Sequence, residues 1–163
     1  MTNSRASNLK NAEEELFALY SLAHGDMIRT RKNVEYITNT SDEFLLDVLR
    51  RDAILSYCRP FSANRGAFKK RNLAIPNSFV PKHLRAKHDA LMVARNQLIS
   101  HMDLSEQAAI LERYEVGGES HLAFSVKGYE LANLSILVEG IEALATSVEQ
   151  SLLDACAKLE SCL

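Results

Sequence analysis

Apolar residues recur at spacings of three, four and seven over four long stretches of the chain, the period of helices that each bury one stripe. Leu9, Ala12, Leu16, Leu19, Ala23, Met27, Val34 and Ile37 carry the first stretch and predict one helix over about residues 7–37, which Gly25 weakens locally without ending. The sequence TSDE at 40–43 reads as a capping box, with Thr40 accepting from the backbone of the first turn while Glu43 reaches back. A second helix should follow to about Ser62, burying Phe44, Leu45, Val48, Leu49, Ile54, Tyr57, Cys58 and Phe61, with Pro60 placed to kink its end.

Residues 62–80 show no sustained period and contain Gly66 and Pro76, so they predict a long loop. Pro81 suits the first position of a third helix running to about His101, with the stripe Leu84, His88, Leu91, Met92, Arg95, Leu98, Ile99 and Met102. Beyond Asp103, AAILERYEV and HLAFSV flank the turn-rich GGES, which predicts a small β-hairpin or else an irregular excursion. Leu134, Leu137, Val138, Ile141, Leu144, Val148, Leu152, Ala155 and Leu159 then restore the helical period over about 133–159. The expected fold is all-α: a single domain over 1–163, a four-helix bundle with a long loop and a small β-hairpin before the last helix.

Composition fits that outline. The 163 residues, 47% hydrophobic and 25% charged, suffice for one ordinary core and are too few for two. No run of about eighteen apolar residues occurs, and MTNSRASNLKNAEEEL holds no apolar stretch of signal-peptide length, so the expectation is a cytoplasmic protein without a membrane partner. Cys58, Cys156 and Cys162 form no CxxC pair, which argues against both a disulfide framework and a zinc site.

Charge changes the picture more. Residues 59–102 hold nine Lys/Arg against one acid, Asp89, while the rest of the chain holds ten basic and twenty acidic residues. The split makes the predicted loop basic and points to an anionic partner, nucleic acid being the commonest candidate, with Arg65, Lys69, Lys70 and Arg71 as its contacts. Internal pairing of this positive loop with the acidic helices is the competing account.

Within the third helix, Arg95 falls on the apolar stripe, about 20° from His88 and within about 60° of Leu91, Leu98 and Met102 at 100° per residue. A guanidinium there must be ion-paired, snorkel to solvent, or face a surface that is both apolar and open to an anion. His101 follows near the expected helix end, and Asp103 is close enough in sequence to fix its tautomer and leave one nitrogen for proton transfer. A helix C-terminus favours the imidazolium, so a plain capping histidine is the alternative role. His83 reads as surface and His88 as core or interface. Tyr57 and Arg59 are supporting candidates, with simple packing the alternative for the tyrosine.

Arg95, Asn96 and His101 spell R-N-x4-H late in a helix, and with the following His-x-Asp and the YCRPF at 57–61 they resemble the HEPN superfamily, the higher eukaryotes and prokaryotes nucleotide-binding domain, in its small standalone prokaryotic form. The architectural likeness covers about residues 40–160. It implies a metal-independent endoribonuclease whose site is completed by two copies of the motif in a homodimer, and it needs no cofactor. On this chain Arg95 would bind the scissile phosphate, His101 would move protons at the ribose 2′-oxygen or the leaving 5′-oxygen, and Asn96 would orient either. The resemblance further implies a toxin or defence effector, with an antitoxin or a nucleotidyltransferase as protein partner. Two alternatives stay open: a non-catalytic dimerisation module, and a nucleotide-binding helper of a separate nucleotidyltransferase. The chain has no GxxxxGK[ST], HExxH or GxSxG motif and no GxGxxG after a strand.

If the positive loop guides RNA, neutralising Lys69, Lys70 and Arg71 together should weaken RNA binding and flatten its dependence on salt by about three contacts' worth of slope. An unchanged salt slope in a filter-binding titration would assign these charges to internal pairing.

Overall fold

In a computed structural model the described residues are 11–65, 72–96, 109–116, 119–126 and 131–162. The architecture is mostly helical. Helix α1 (Ala12–Asn39) starts behind Asn11, whose side-chain oxygen accepts from the Glu14 amide at 2.8 Å, and Glu13, Glu14 and Glu15 add negative charge at the positive end of the helix dipole. Its 28 residues form the spine against which α2 (Glu43–Cys58) and α5 (Ile141–Glu160) pack.

The register of α1 on α2 is fixed by a buried-edge carboxylate. Arg29 donates to Asp52 through Nε and Nη2 at 2.8 and 2.9 Å, Asn33 Nδ2 donates to the same carboxylate at 2.6 Å, and Thr30 Oγ1 lies 3.5 Å from the Ala53 carbonyl. Asp26 meets Arg59 just past α2 while Asn33 meets Asp52, so positions advance along α1 as they recede along α2, the antiparallel arrangement that the short turn at 40–42 requires. Burial pushes the Asp52 carboxyl up, but the hydrogen bonds from Arg29 and Asn33 and the nearby Arg charges outweigh it and hold the group below its ordinary value. On the other side of α1, Glu149 of α5 accepts from both His24 and Arg31.

A continuous core joins Met27 of α1, Ile54 and Tyr57 of α2, Leu91 of α3 (Arg85–Ala94), Leu134 of α4 (Leu131–Val138) and Ile141, Leu144, Val148 and Leu152 of α5. The segment 62–80 contributes to it too: Ile75 and Val80 are buried, the Ile75 amide donates to the Pro60 carbonyl at 2.9 Å, and Ser151 Oγ holds the Phe79 carbonyl at 3.2 Å. Part of the expected loop is therefore ordered chain. Short strands β1 (Asn64–Arg65) and β2 (Asn72–Leu73) pair antiparallel, and a 3-10 turn covers Asn77–Phe79. Strands β3 (Ala109–Val116) and β4 (Glu119–Val126) pair antiparallel with Val116 opposite Glu119 and Ala109 opposite Val126.

Four features differ from the sequence expectations. The α2 cap is Asp42, whose Oδ1 accepts from the Leu45 amide at 2.9 Å, while Thr40 accepts only from Asp42 at 3.3 Å; a carboxylate placed on the first turn is the stronger acceptor. The α-helix stops at Cys58 and tightens into a 3-10 turn at Arg59–Phe61, since Pro60 has no amide to donate. The third helix opens as a 3-10 turn at Lys82–Leu84 before α3 proper. The expected last helix is two, because Gly140 at φ 73° ends α4 and redirects the chain into α5, a backbone conformation that costs a residue with a Cβ about 1–2 kcal/mol.

The buried side of α2 also differs. Leu46, Ala53, Ile54 and Tyr57 face inward, whereas Phe44 is 80%, Leu45 42% and Val48 43% exposed. With apolar residues on nearly every side of the first two turns, the period alone could not choose the face; the Asp52 clamp does. Leu144→Ala should accordingly destabilise by about 2–5 kcal/mol, while Phe44→Ala should stay within about 0.5 kcal/mol in urea unfolding. A large loss from Phe44→Ala would mean that this face is covered.

Candidate functional site

The end of α3 carries the residues of the motif that lie within the described chain. His88, Leu91 and Ala94 are its buried positions, so the seven-residue step from His88 to Arg95 brings the guanidinium to the rim of the interior. Arg95 is half-buried and Asn96 exposed, and the backbone widens there into a π-type turn, with the Arg95 amide shared between the Leu91 and Met92 carbonyls. Such widened turns shift the direction of the following side chains relative to an ideal helix, and they recur at functional sites.

Arg95 Nη1 donates to Asn96 Oδ1 at 2.8 Å. Among the described residues no carboxylate lies within 4 Å of Arg95, although five ion pairs occur elsewhere among them. A guanidinium has five N–H donors, so the Asn96 bond orients the group and leaves donors free for a planar or tetrahedral anion. Its charge reaches the interior: burial pushes the Cys58 thiol up to about 12, and Arg95 is the charge that opposes this. The end of α3 thus sits beside the end of α2.

Arg59 and Tyr57, both at that end of α2, have roles that the sequence did not separate. Arg59 Nη2 lies 3.3 Å from Asp26 Oδ1 of α1 and 3.4 Å from Ser56 Oγ. Burial raises the Asp26 carboxyl while Arg59 and Arg29 pull it back. Tyr57 is fully buried, so it does not line an open cleft; its hydroxyl meets His88 Nδ1 at 2.9 Å, and burial pushes its own pKa upward. This pair is a feature that sequence reasoning missed. The available signal was a tyrosine and a histidine on the apolar stripes of successive helices, each with a polar atom in need of a partner.

Arg65 lies in β1, paired through the backbone with Asn72. His101, Asp103, Lys69, Lys70 and Arg71 lie outside the described residues, so the arginine and asparagine of the motif are placed and its histidine is not. Among the described residues no group of three or more His, Cys, Asp or Glu could hold a metal ion, and no helix is long and apolar enough to cross a membrane.

The free guanidinium sets an energetic expectation. Removing one partner of a buried ion pair costs about 3–5 kcal/mol, so Arg95→Ala, which orphans no carboxylate among the described residues, should cost less than about 1 kcal/mol in thermal or urea unfolding. A loss in the larger range would reveal an acidic partner and assign Arg95 to the scaffold.

No protein-family model matches the chain, and no characterised protein or solved structure is similar enough to identify its family.

Proposed function

We propose that this chain acts on RNA as a homodimeric, metal-independent endoribonuclease of the HEPN type, with a toxin or defence role. The state of Arg95 carries the reading: a half-buried guanidinium at a π-type turn, oriented by Asn96 and without a carboxylate among the described residues. Such a group is suited to a scissile phosphate, because phosphoryl transfer depends chiefly on positioning and on compensating the charge of the phosphate oxygens. His101 then supplies the proton chemistry. The 2′-oxygen loses its proton and attacks phosphorus, the bond to the 5′-oxygen breaks, and that oxygen takes up a proton; the products are a 2′,3′-cyclic phosphate and a 5′-hydroxyl. One chain brings one Arg95 and one His101, so a two-fold partner doubles both groups in a shared cleft.

A second reading has its own observation. Phe44, Leu45 and Val48 recur at helical spacing in the first turns of α2 and all three are exposed, as is Tyr36 near the end of α1. Contiguous exposed apolar residues mark association surfaces, which supports an interaction module that dimerises without catalysis.

The two readings separate experimentally. For the ribonuclease, Arg95→Ala and His101→Ala should each lower cleavage of a labelled RNA by about 100-fold or more. Cleavage should survive EDTA and leave cyclic phosphate ends, and the protein should sediment as a dimer. Cleavage that vanishes on chelation, or full activity in a strict monomer, would overturn this reading. For the module, RNA is not cleaved, and Phe44→Ser with Val48→Ser abolishes association while Arg95→Ala leaves it intact.

A further inference from the structure

His24 and His83 touch solvent, whereas His88 is 2% exposed and lies inside the core. Its ring meets Phe61 edge-on at 4.5 Å between centroids and Tyr57 at 5.8 Å, and its Nδ1 is 2.9 Å from the Tyr57 hydroxyl. Among the described residues the phenolic proton has no other acceptor. Tyr57 therefore donates and Nδ1 accepts, which requires a neutral imidazole with its proton on Nε2. The bond joins α2 to α3. The other described side-chain hydrogen bond between α3 and the rest of the chain runs from Lys87 at the surface to the Ile136 carbonyl at 2.7 Å.

Protonation of His88 puts a hydrogen on Nδ1 and turns that bond against itself. The hydroxyl would have to become the acceptor, its own proton would lose its partner, and a cation would be held in the core against Phe61 and Tyr57. Among the described residues no group on another element compensates. From α2, Tyr57 and Cys58 are neutral, their pKa values pushed up by burial; Phe61 is apolar; the charges that act on the ring, Asp89 and Arg85, stand on α3 itself and oppose each other. Burial dominates and holds the imidazole below its ordinary value. A separated α3 exposes the ring, where it takes up its proton freely.

We infer that His88 is an acid-sensitive latch: α3 docks on α2 while the imidazole is neutral and is released when the ring is protonated. The sign follows from linkage. The released state binds the proton at about the ordinary histidine value of 6.5, so docking is at full strength above that pH and weakens as pH falls below it, by up to about tenfold per unit until the docked ring itself titrates. The helix released is the one that carries Arg95 and Asn96, so acid disturbs their presentation; the inference itself concerns docking and does not depend on the RNA reading.

Hydrogen exchange on the full chain, corrected for the intrinsic pH dependence of exchange, reads the latch directly. Between pH 7.5 and 5 the amides of Asp89–Ala94 should lose at least tenfold more protection than those in the middle of α1 and α5, with a midpoint below 6.5 that coincides with titration of the His88 ring by NMR. His88→Asn keeps an acceptor near the Nδ1 position and cannot titrate, so its α3 should show no such loss. Tyr57→Phe removes the donor that favours the neutral ring, so the midpoint should move to higher pH; this variant decides the matter if His88→Asn does not fold. The inference is overturned by uniform loss of protection in all helices, by a ring titration that leaves α3 protected, by an acid response that persists in His88→Asn, or by an unmoved midpoint in Tyr57→Phe.

Discussion

Burial pushes the Asp52 carboxyl up, but Arg29 and Asn33 reach it from α1 and hold it below its ordinary value, and that clamp fixes how α2 lies on α1. A carboxylate at the edge of the interior loses hydration, and the bidentate guanidinium with the amide returns three hydrogen bonds to it. Nonpolar contacts between two helices tolerate sliding by a turn. A charge that must meet two donors spaced four residues apart does not. The clamp selects Leu46, Ala53, Ile54 and Tyr57 as the inward face of α2, and it leaves Phe44, Leu45 and Val48 outside despite their greater apolar area.

With α2 fixed, its last turn decides where α3 can lie. Tyr57, Cys58 and Phe61 converge there, and His88 enters among the two aromatic rings with a single polar atom to satisfy. Helix α3 has only ten residues, too few to be stable alone in water, so its orientation is borrowed from this docking. The candidate site inherits that orientation. Arg95 comes two turns after His88, and a rotation of α3 that loosened the Tyr57 bond would also turn the guanidinium from its place at the rim.

The sequence was most informative where one physical demand acted alone. Period marked α1 and the stretch that ends in α5, because each buries a single stripe of Met27, Leu144, Val148 and their neighbours, although it ran α4 and α5 together as one helix. It failed where two demands competed. Phe44, Leu45 and Val48 were hydrophobic enough to be assigned inward, and only a polar contact from another helix excluded them. Gly140 was invisible inside an unbroken run of apolar spacings, since a glycine signals a left-handed turn only once the chain on either side has to change direction. The capping-box reading chose Thr40, and the cap that formed is Asp42, two residues on. At the site, Arg95 was legible as a charge on an apolar stripe. Its bond to Asn96 and the π-type turn were not, because both arise from backbone geometry that spacing at 100° per residue assumes away.

Two demands meet at the end of α3. The helix continues the stripe from Leu91 through Arg95, and a guanidinium carried wholly into the core would need a carboxylate. The Arg95 backbone is itself regular, with φ −57° and ψ −44° and its amide on the Leu91 and Met92 carbonyls, and the half-buried side chain turns its head to Asn96. The alternative, an enclosed and unpaired guanidinium, is among the largest penalties a core can carry. An arginine on a buried stripe therefore need not signify a hidden ion pair: at the rim its stem can meet the stripe while its head bonds to Asn96, and among the described residues no carboxylate lies within 4 Å of it.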